Sequence, residues 1–413
     1  MYVTQTRAAR IVSQAPERFD PIVDLRNPRA VRHSLGGLLN LLMMNFACGR
    51  LTLRQAEALS EDMQPGALRR MGLKRRVSDT CLYELASTLP DDCFREVLWN
   101  ELREAIDRKA IRPRDLFPEG VLVFDGKGAG GGLGEAPNKE CRVSVCDAAG
   151  TKCWDLYTLR AALVSSLARP VLDQEFIKGK GNESPAFRTV YSRLAERFPQ
   201  LFSIVMFDAG MTGAQNASLI LSTGKKFVMA VKGNRAALHE SASAALANSP
   251  VLDKTQERAN GQTVIRAVRR VAAPLDTKFP GATQFWSVTQ LRLNDDGTTS
   301  LEEERLFVTS IPLDALSPAL ILRLVRLQWG IENGPNWTAD VIFKEDTRVS
   351  CTPGITLLCW LRILAYNLVS IFRSHLPQKD NRPQTWQRAC ELIYQAHLLP
   401  IVVRRTKSLH AEA

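Results

Sequence analysis

The sequence predicts an α/β (α+β) fold: a helical N-terminal domain, then buried strands alternating with helices, with one β-rich stretch among them. Three observations predict it. Apolar residues recur at helical spacing through residues 1–110. From residue 120, short continuous apolar runs such as "GVLVFDG", "LFSIVMFDAG" and "KFVMAVKGN" read as strands covered on both faces. Residues 255–312 carry strand signals ("TVIRAVRRV", "TQFWSVTQLRL", "ERLFVTSI") with no helical segment between them.

In chain order, "GGLLNLLMMNFACG", "LTLRQAEALSEDM" and "VSDTCLYELASTL" are helices, the third capped by Ser78 or Asp79. Between the last two, "GALRRMGLKRRV" places five basic residues in twelve, a solvated face or a DNA contact. "LYTLRAALVSS" and "VLDQEFI" read as strands. "NESPAFRTVYSRLAERF" is a helix with Asn182 or Ser184 as cap and Pro185 in its first turn. "GAQNASLILSTG" is a helix closed by Gly224. Ser317-Pro318 opens a helix through "ALILRLVRLQWGIEN", with Leu320, Leu324, Leu327 and Ile331 as its core stripe. A long apolar helix follows near 355–372, and the tail from about 404 is expected to fray.

Formal net charge is +11 over 413 residues, with a pI near 9.3, which points to a polyanionic partner, nucleic acid first. Nine scattered cysteines form no C-x-x-C and no zinc spacing with histidine, so a disulfide framework is not expected and a reducing cytoplasm fits. The N-terminus carries no signal-peptide core. The two longest apolar runs are interrupted by Asn40 and Asn45, and by Arg362 and Asn367. They read as buried helices rather than membrane spans.

In "VLVFDGKGAGGGLGE", Gly126, Gly128 and Gly131 fit the G-x-G-x-x-G turn of dinucleotide sites, with Asp147 at a suitable distance. That turn needs a helix directly after it to hold the pyrophosphate. Here more glycines, Pro137 and another strand follow, so the stretch reads as a hairpin and a dehydrogenase is the remotest reading. Asp125 is then left at the exit of a buried strand, and Asp208 leaves "LFSIVMF" in the same way. Two carboxylates at a sheet rim suit magnesium or manganese, which prefer oxygen ligands.

A third block is "RLQWGIENGPNWTADVIFKEDTRV". It resembles the block Arg-x-His-Trp-x-Ile-Glu-Asn-x-x-x-Trp-x-x-Asp-Val-x-Phe-x-Glu-Asp of the DDE-type transposases of bacterial insertion sequences. Arg326, Trp329, Ile331, Glu332, Asn333, Trp337, Asp340, Val341, Phe343, Glu345 and Asp346 are in register. "DLRNPRAVRHSLGGLL", "FDGK", "FDAGMTGAQNASLI" and "KFVMAVKGN" are similar to other blocks of the family, so the resemblance runs from about 20 to 375. The chain departs from the pattern at Gln328, where His is usual, and at Gly334-Pro335, inside a helix the family continues. It also carries a longer glycine-rich segment after Asp125.

The resemblance implies a ribonuclease H-like catalytic core holding two Mg2+ (or Mn2+) ions on Asp125, Asp208 and Glu332, which cut DNA and join it with a 3′-hydroxyl. It implies a division into a helical DNA-binding domain (1–110), a core in two parts (118–234 and 313–375), a β-rich insertion (235–312) and a C-terminal extension (376–413). Lys127, Lys232, Arg326 and Arg348 flank the blocks as phosphate contacts, and Trp286 is a candidate to stack on a flipped base at a transposon end. Trp329 and Trp337 are expected to pack the glutamate helix, and Asp340, Glu345 and Asp346 either to supply a supporting carboxylate behind the metal site or to lie on a solvated acidic face. The implied partners are transposon-end and target DNA, bound as a dimer at the nucleoid in the cytoplasm, with no membrane. Two rivals stay open: an endonuclease that cuts without joining, and an inactive relative that only binds DNA.

Overall fold

The structure, a computed structural model, describes residues 17–29, 31–91, 93–179, 181–259, 261–345, 353–378 and 383–398. It divides into two compact units, residues 1–97 with 360–413 and residues 98–359.

The first unit is helical. Helix Leu35–Ala47 buries every residue except Gly36, because its sequence is apolar almost all round. The two asparagines that interrupt it bond inside through their amide nitrogens: Asn45 donates to the carbonyls of Arg50 (3.3 Å) and Thr52 (3.2 Å), and Asn40 to Met71 Sδ (3.0 Å), while both Oδ1 atoms are buried without a partner. Ser34 caps this helix, and a reciprocal Thr52–Gln55 capping box opens Leu53–Asp62. Of the two caps expected for Asp79–Thr88, Ser78 is the one used, accepting from the Cys81 amide. Helix Ile355–Ser374 is long and apolar enough to cross a membrane, yet 89% of its most apolar window is buried within the protein. Its Arg362 lies over the Phe46 ring at 5.1 Å.

The second unit is built on a ten-stranded sheet. Its first half holds β1 (Val121–Leu133), β3 (Lys152–Leu163), β4 (Val171–Ile177), β5 (Ile204–Phe207) and β6 (Lys226–Val231), in spatial order β4-β3-β1-β5-β6. β3 is antiparallel to both β1 and β4, whereas β5 and β6 run parallel to β1. This five-stranded mixed order, with helices Glu183–Arg197 and Pro318–Gln328 packed on the sheet, is the ribonuclease H-like arrangement. A short strand β2 (Arg142–Val145) pairs with the start of β3. The β-rich stretch extends the same sheet. β10 (Thr299–Thr309) pairs with β6, followed outward by β9 (Gln284–Leu293), β8 (Gln262–Ala272) and β7 (Asp253–Ala259).

The core follows from strand alternation. Val121, Val123 and Met206 meet Trp286, Val288, Ile321, Leu324, Val325 and Ile331 on one face. Phe124 and Phe207 turn to the other face, where both rings meet Phe187 edge-on at 4.7 and 4.8 Å. The helix stripe is placed slightly off expectation, since Leu320 is half-buried at its edge while Ile321 and Val325 are central. The glycines also differ from expectation. Gly126 to Gly132 lie inside β1, paired with β3 from Leu159 to Trp154. The strand continues eight residues past Asp125, and no helix follows them, which removes the dinucleotide reading.

Candidate active site

Register brings the two aspartates together. In the parallel pair, Val121, Leu122 and Val123 lie opposite Ile204, Val205 and Met206. Carrying that offset two residues further sets Asp125 level with Asp208, where β5 has ended and β1 continues. Adjacent strands lie about 4.8 Å apart, so the two carboxyls share one rim of the sheet. The loop holding Asp208 is pinned. Its carboxylate accepts from the Gly210 amide (2.9 Å), Thr212 Oγ1 donates to the Ala230 carbonyl (2.6 Å), and Asn234 Nδ2 donates to the Ala209 carbonyl (2.9 Å).

Glu332 reaches the same place from the far end of the chain. Helix Pro318–Gln328 stops earlier than expected, and Glu332–Asn336 forms a single π turn containing Gly334 and Pro335. The wider turn brings residues four apart close to one face. Asn336, buried at 7% exposure, donates from Nδ2 to Asp125 Oδ2 at 2.8 Å, while Glu332 is exposed.

Asp125 is held at a pKa of about 7, first by burial and then by the repulsion of Glu332, Asp208 and Glu183; only the Asn336 bond opposes them. Glu183, at the start of helix Glu183–Arg197, is therefore a fourth carboxylate at the site, which sequence reading missed. Gly126 makes room for it: a Cβ there would stand 2.0 Å from Glu183 Oε1. The helix-cap pattern around Asn182 concealed Glu183.

Among the described residues, no group of three or more His, Cys, Asp or Glu side chains stands ready to hold a metal ion. The donors still fit one in atom type and charge. They are carboxylate oxygens, and their mutual repulsion is what a hard divalent cation relieves. The carboxylates would have to draw together around it.

Behind the rim lies a buried ionic network. Lys127, two residues after Asp125 and on the same face of β1, pairs with Asp340 and stands 3.8 Å from Glu345. Glu345 is fully buried and accepts at 2.8 Å on both oxygens from Arg160, itself the cross-strand partner of Asp125. With the Asn336 bond, these pairs tie residues 336–345 to β1 and β3.

A cleft of about 720 Å3 leads to Glu332 and Asn333. Arg169, Arg266, Arg292, Arg305, Arg323 and Arg326 line it. Arg305 pairs with Glu303 and lies over the Trp329 ring at 4.7 Å, and Arg266 and Arg326 share Glu257. The guanidinium groups of Arg292 and Arg323 have no carboxylate partner among the described residues.

The family model described as "Transposase DDE domain" matches residues 142–368, more than half of the chain. The chain belongs to the DDE transposases. No curated protein matches it. Among solved structures, a piggyBac transposase synaptic complex with hairpin DNA is similar at a TM-score of 0.48 and 12% identity, covering 95% of this chain and 80% of that one. The family match spans Asp208 and Glu332 and begins after Asp125.

Within this transposase, the expected DNA contacts separate. Trp286 is fully buried in the sheet–helix core and is not available to stack on a base. The alternation Trp286, Val288, Gln290, Arg292 explains it: one face of β9 is core at one end and polar at the other. Lys127 is 8% exposed, and its charge is engaged by Asp340 and Glu345. Lys232 is exposed at the turn beside the Asp208 loop, and Arg326 lies in the arginine cleft. Arg348 and Asp346 lie outside the described residues. Glu345 and Asp340 do not form a solvated face, and Trp337 is 45% exposed rather than packed. The cleft arginines were hidden because they come from four separate strands and loops and one helix, and nothing in the linear sequence groups them.

Proposed function

We propose that this transposase cuts and rejoins the DNA of an insertion sequence, with Asp125, Asp208 and Glu332 as its catalytic carboxylates. What supports the reading is that strand register sets Asp125 level with Asp208, and that the charges of Glu332 and Asp208 add to burial in raising the pKa of Asp125 to about 7. Together they would hold two Mg2+ or Mn2+ ions. Such ions supply positive charge that activates the attacking hydroxyl and stabilises the leaving oxygen in phosphoryl transfer. The protein's own residues do the rest. Asn336 orients Asp125. The Lys127–Asp340 and Arg160–Glu345 pairs fix the segment that follows Glu332. Arg292, Arg323 and Arg326 take phosphates of the DNA that leads to the carboxylates, and Lys232 takes one beside the Asp208 loop. The reading extends to DNA ends and target DNA as substrates, a dimer that brings two ends together, and work at the nucleoid in the cytoplasm.

The test is Glu332→Gln, assayed for DNA binding by gel shift and for strand cleavage with magnesium, on DNA carrying the element's own ends. Binding at the parent level with cleavage lost supports the reading. A variant that cleaves at the parent rate removes Glu332 from the site. A parent that binds but never cleaves favours the DNA-binding relative instead.

A further inference from the structure

Glu183 enters the carboxylate rim from a third direction, the first turn of helix Glu183–Arg197. Two glycines show where its side chain goes. A Cβ on Gly126, the residue after Asp125, would collide with Glu183 Oε1. A Cβ on Gly210 would stand 3.3 Å from Glu183 Oε2 and 3.2 Å from Asp208 Oδ1. One carboxylate therefore lies both against β1 beside Asp125 and against the loop that carries Asp208, and both glycines leave it room. Its backbone is fixed there. Asn216, 1% exposed, donates from Nδ2 to Ser184 Oγ (2.9 Å) and to the Met211 carbonyl (2.7 Å), which ties the first turn of the helix to the loop after Asp208.

An acid in the first turn of a helix has an ordinary role, since its charge suits the helix dipole. That role needs no approach to Asp125 and no bare Cα at Gly126. Asp125 nevertheless feels the charge: after burial, Glu332, Asp208 and Glu183 together raise its pKa. A separate observation points to a ligand. Asn336 donates from Nδ2 to Asp125 Oδ2, yet its Oδ1 is buried without a partner, in a residue 7% exposed. Buried acceptors left this way are uncommon. An amide oxygen beside carboxylates suits the water carried by a hard cation, and Mg2+ keeps several such waters.

We propose that Glu183 is a fourth carboxylate of the metal site, holding a divalent ion together with Asp208, and that the bare Cα of Gly126 is what admits it. The proposal rests on the reading of Asp125, Asp208 and Glu332 as metal-holding carboxylates, and adds a ligand from outside the blocks that resemble the family.

Ion binding is measured on the full chain without DNA: Mn2+ by electron paramagnetic resonance, and Mg2+ by the rise in melting temperature over a titration. Glu183→Gln keeps the shape and loses the charge. It is expected to weaken Mn2+ binding by about 10- to 100-fold and to move the Mg2+ titration to higher concentration by a similar factor. Gly126→Ala keeps every charge but displaces the Glu183 carboxylate, and should move both in the same direction. Glu196→Gln, an exposed acid near the far end of the same helix, should leave both at the parent's values. Strand cleavage by Glu183→Gln should recover toward the parent rate at high Mg2+, as lost ion affinity requires. Asp125→Asn separates this proposal from the reading beneath it. If Asp125→Asn loses the ions while Glu183→Gln and Gly126→Ala bind them as the parent does, Glu183 is only a helix-terminal acid and the proposal falls alone. If Asp125→Asn also binds as the parent does, the reading of the site falls with it. Equal weakening by Glu196→Gln overturns the proposal as well, because loss of any acid on the helix would then explain the result.

Discussion

Asn336 donates a hydrogen bond from Nδ2 to Oδ2 of Asp125 at 2.8 Å, across 211 residues of sequence. Among the described residues it is the one polar link that reaches Asp125 itself from the segment following Glu332, and it acts on the charged form of a carboxyl that burial and its neighbours push toward neutrality.

Asn336→Ala should therefore leave the fold in place and lower the cleavage rate by about 10- to 100-fold, the worth of one hydrogen bond to a charged group. Asn336→Asp should be worse above pH 7, where it adds a fifth like charge. Single-turnover cleavage rates across pH, alongside thermal melting, check this. A rate equal to the parent's for Asn336→Ala would remove its positioning role.

The metal-free protein should lose stability as pH rises through 7. Asp125 has a folded-state pKa of about 7 against an ordinary 3.8, so the folded state holds its proton more tightly than the unfolded chain. The stabilisation is complete below about pH 4 and is lost as pH passes 7. Asp125→Asn does not titrate. Relative to the parent, it should gain on the order of 2–4 kcal/mol between pH 5 and pH 8, measured by urea unfolding in chelator. Adding magnesium at pH 8 should stabilise the parent and not the variant.

Glu345→Gln should destabilise the fold by about 3–5 kcal/mol, because it strands the buried Arg160 guanidinium and removes a neighbour of Lys127. Replacing both partners with apolar residues, Arg160→Met with Glu345→Leu, should cost less than the single change. Equal losses for the single and double variants would show that the pair is not coupled.

Trp286→Ala should cost about 3–5 kcal/mol by leaving a cavity in the core. Trp286→Phe should be far milder, since the indole Nε1 is buried without a hydrogen-bond partner and loses nothing when removed. Neither should alter the DNA affinity of the folded protein. A weakened affinity in a fully folded Trp286→Phe variant would return the base-stacking reading.

The sequence by itself determined the elements that depend on local pattern. Apolar runs with strand or helix period fixed the strands entering Asp125 and Asp208 and the capped helices. The block around Glu332 carried the family, because its side chains are spaced in one segment. It did not determine where the strands end: Asp125 looked like a strand exit, but β1 runs on through glycines that pair with β3, since extended backbone with a cross-strand partner needs no side chain. Only tertiary structure decided which charges are available. Lys127, Asp340 and Glu345 looked like surface charges and are joined inside, and Trp286, open in sequence to either base stacking or core packing, is core, because burial depends on what packs across from a strand. The same holds for Glu183 and the cleft arginines. They come together through sheet register and helix placement, and distances of that kind are set by pairing between segments far apart in the chain, which no local spacing records.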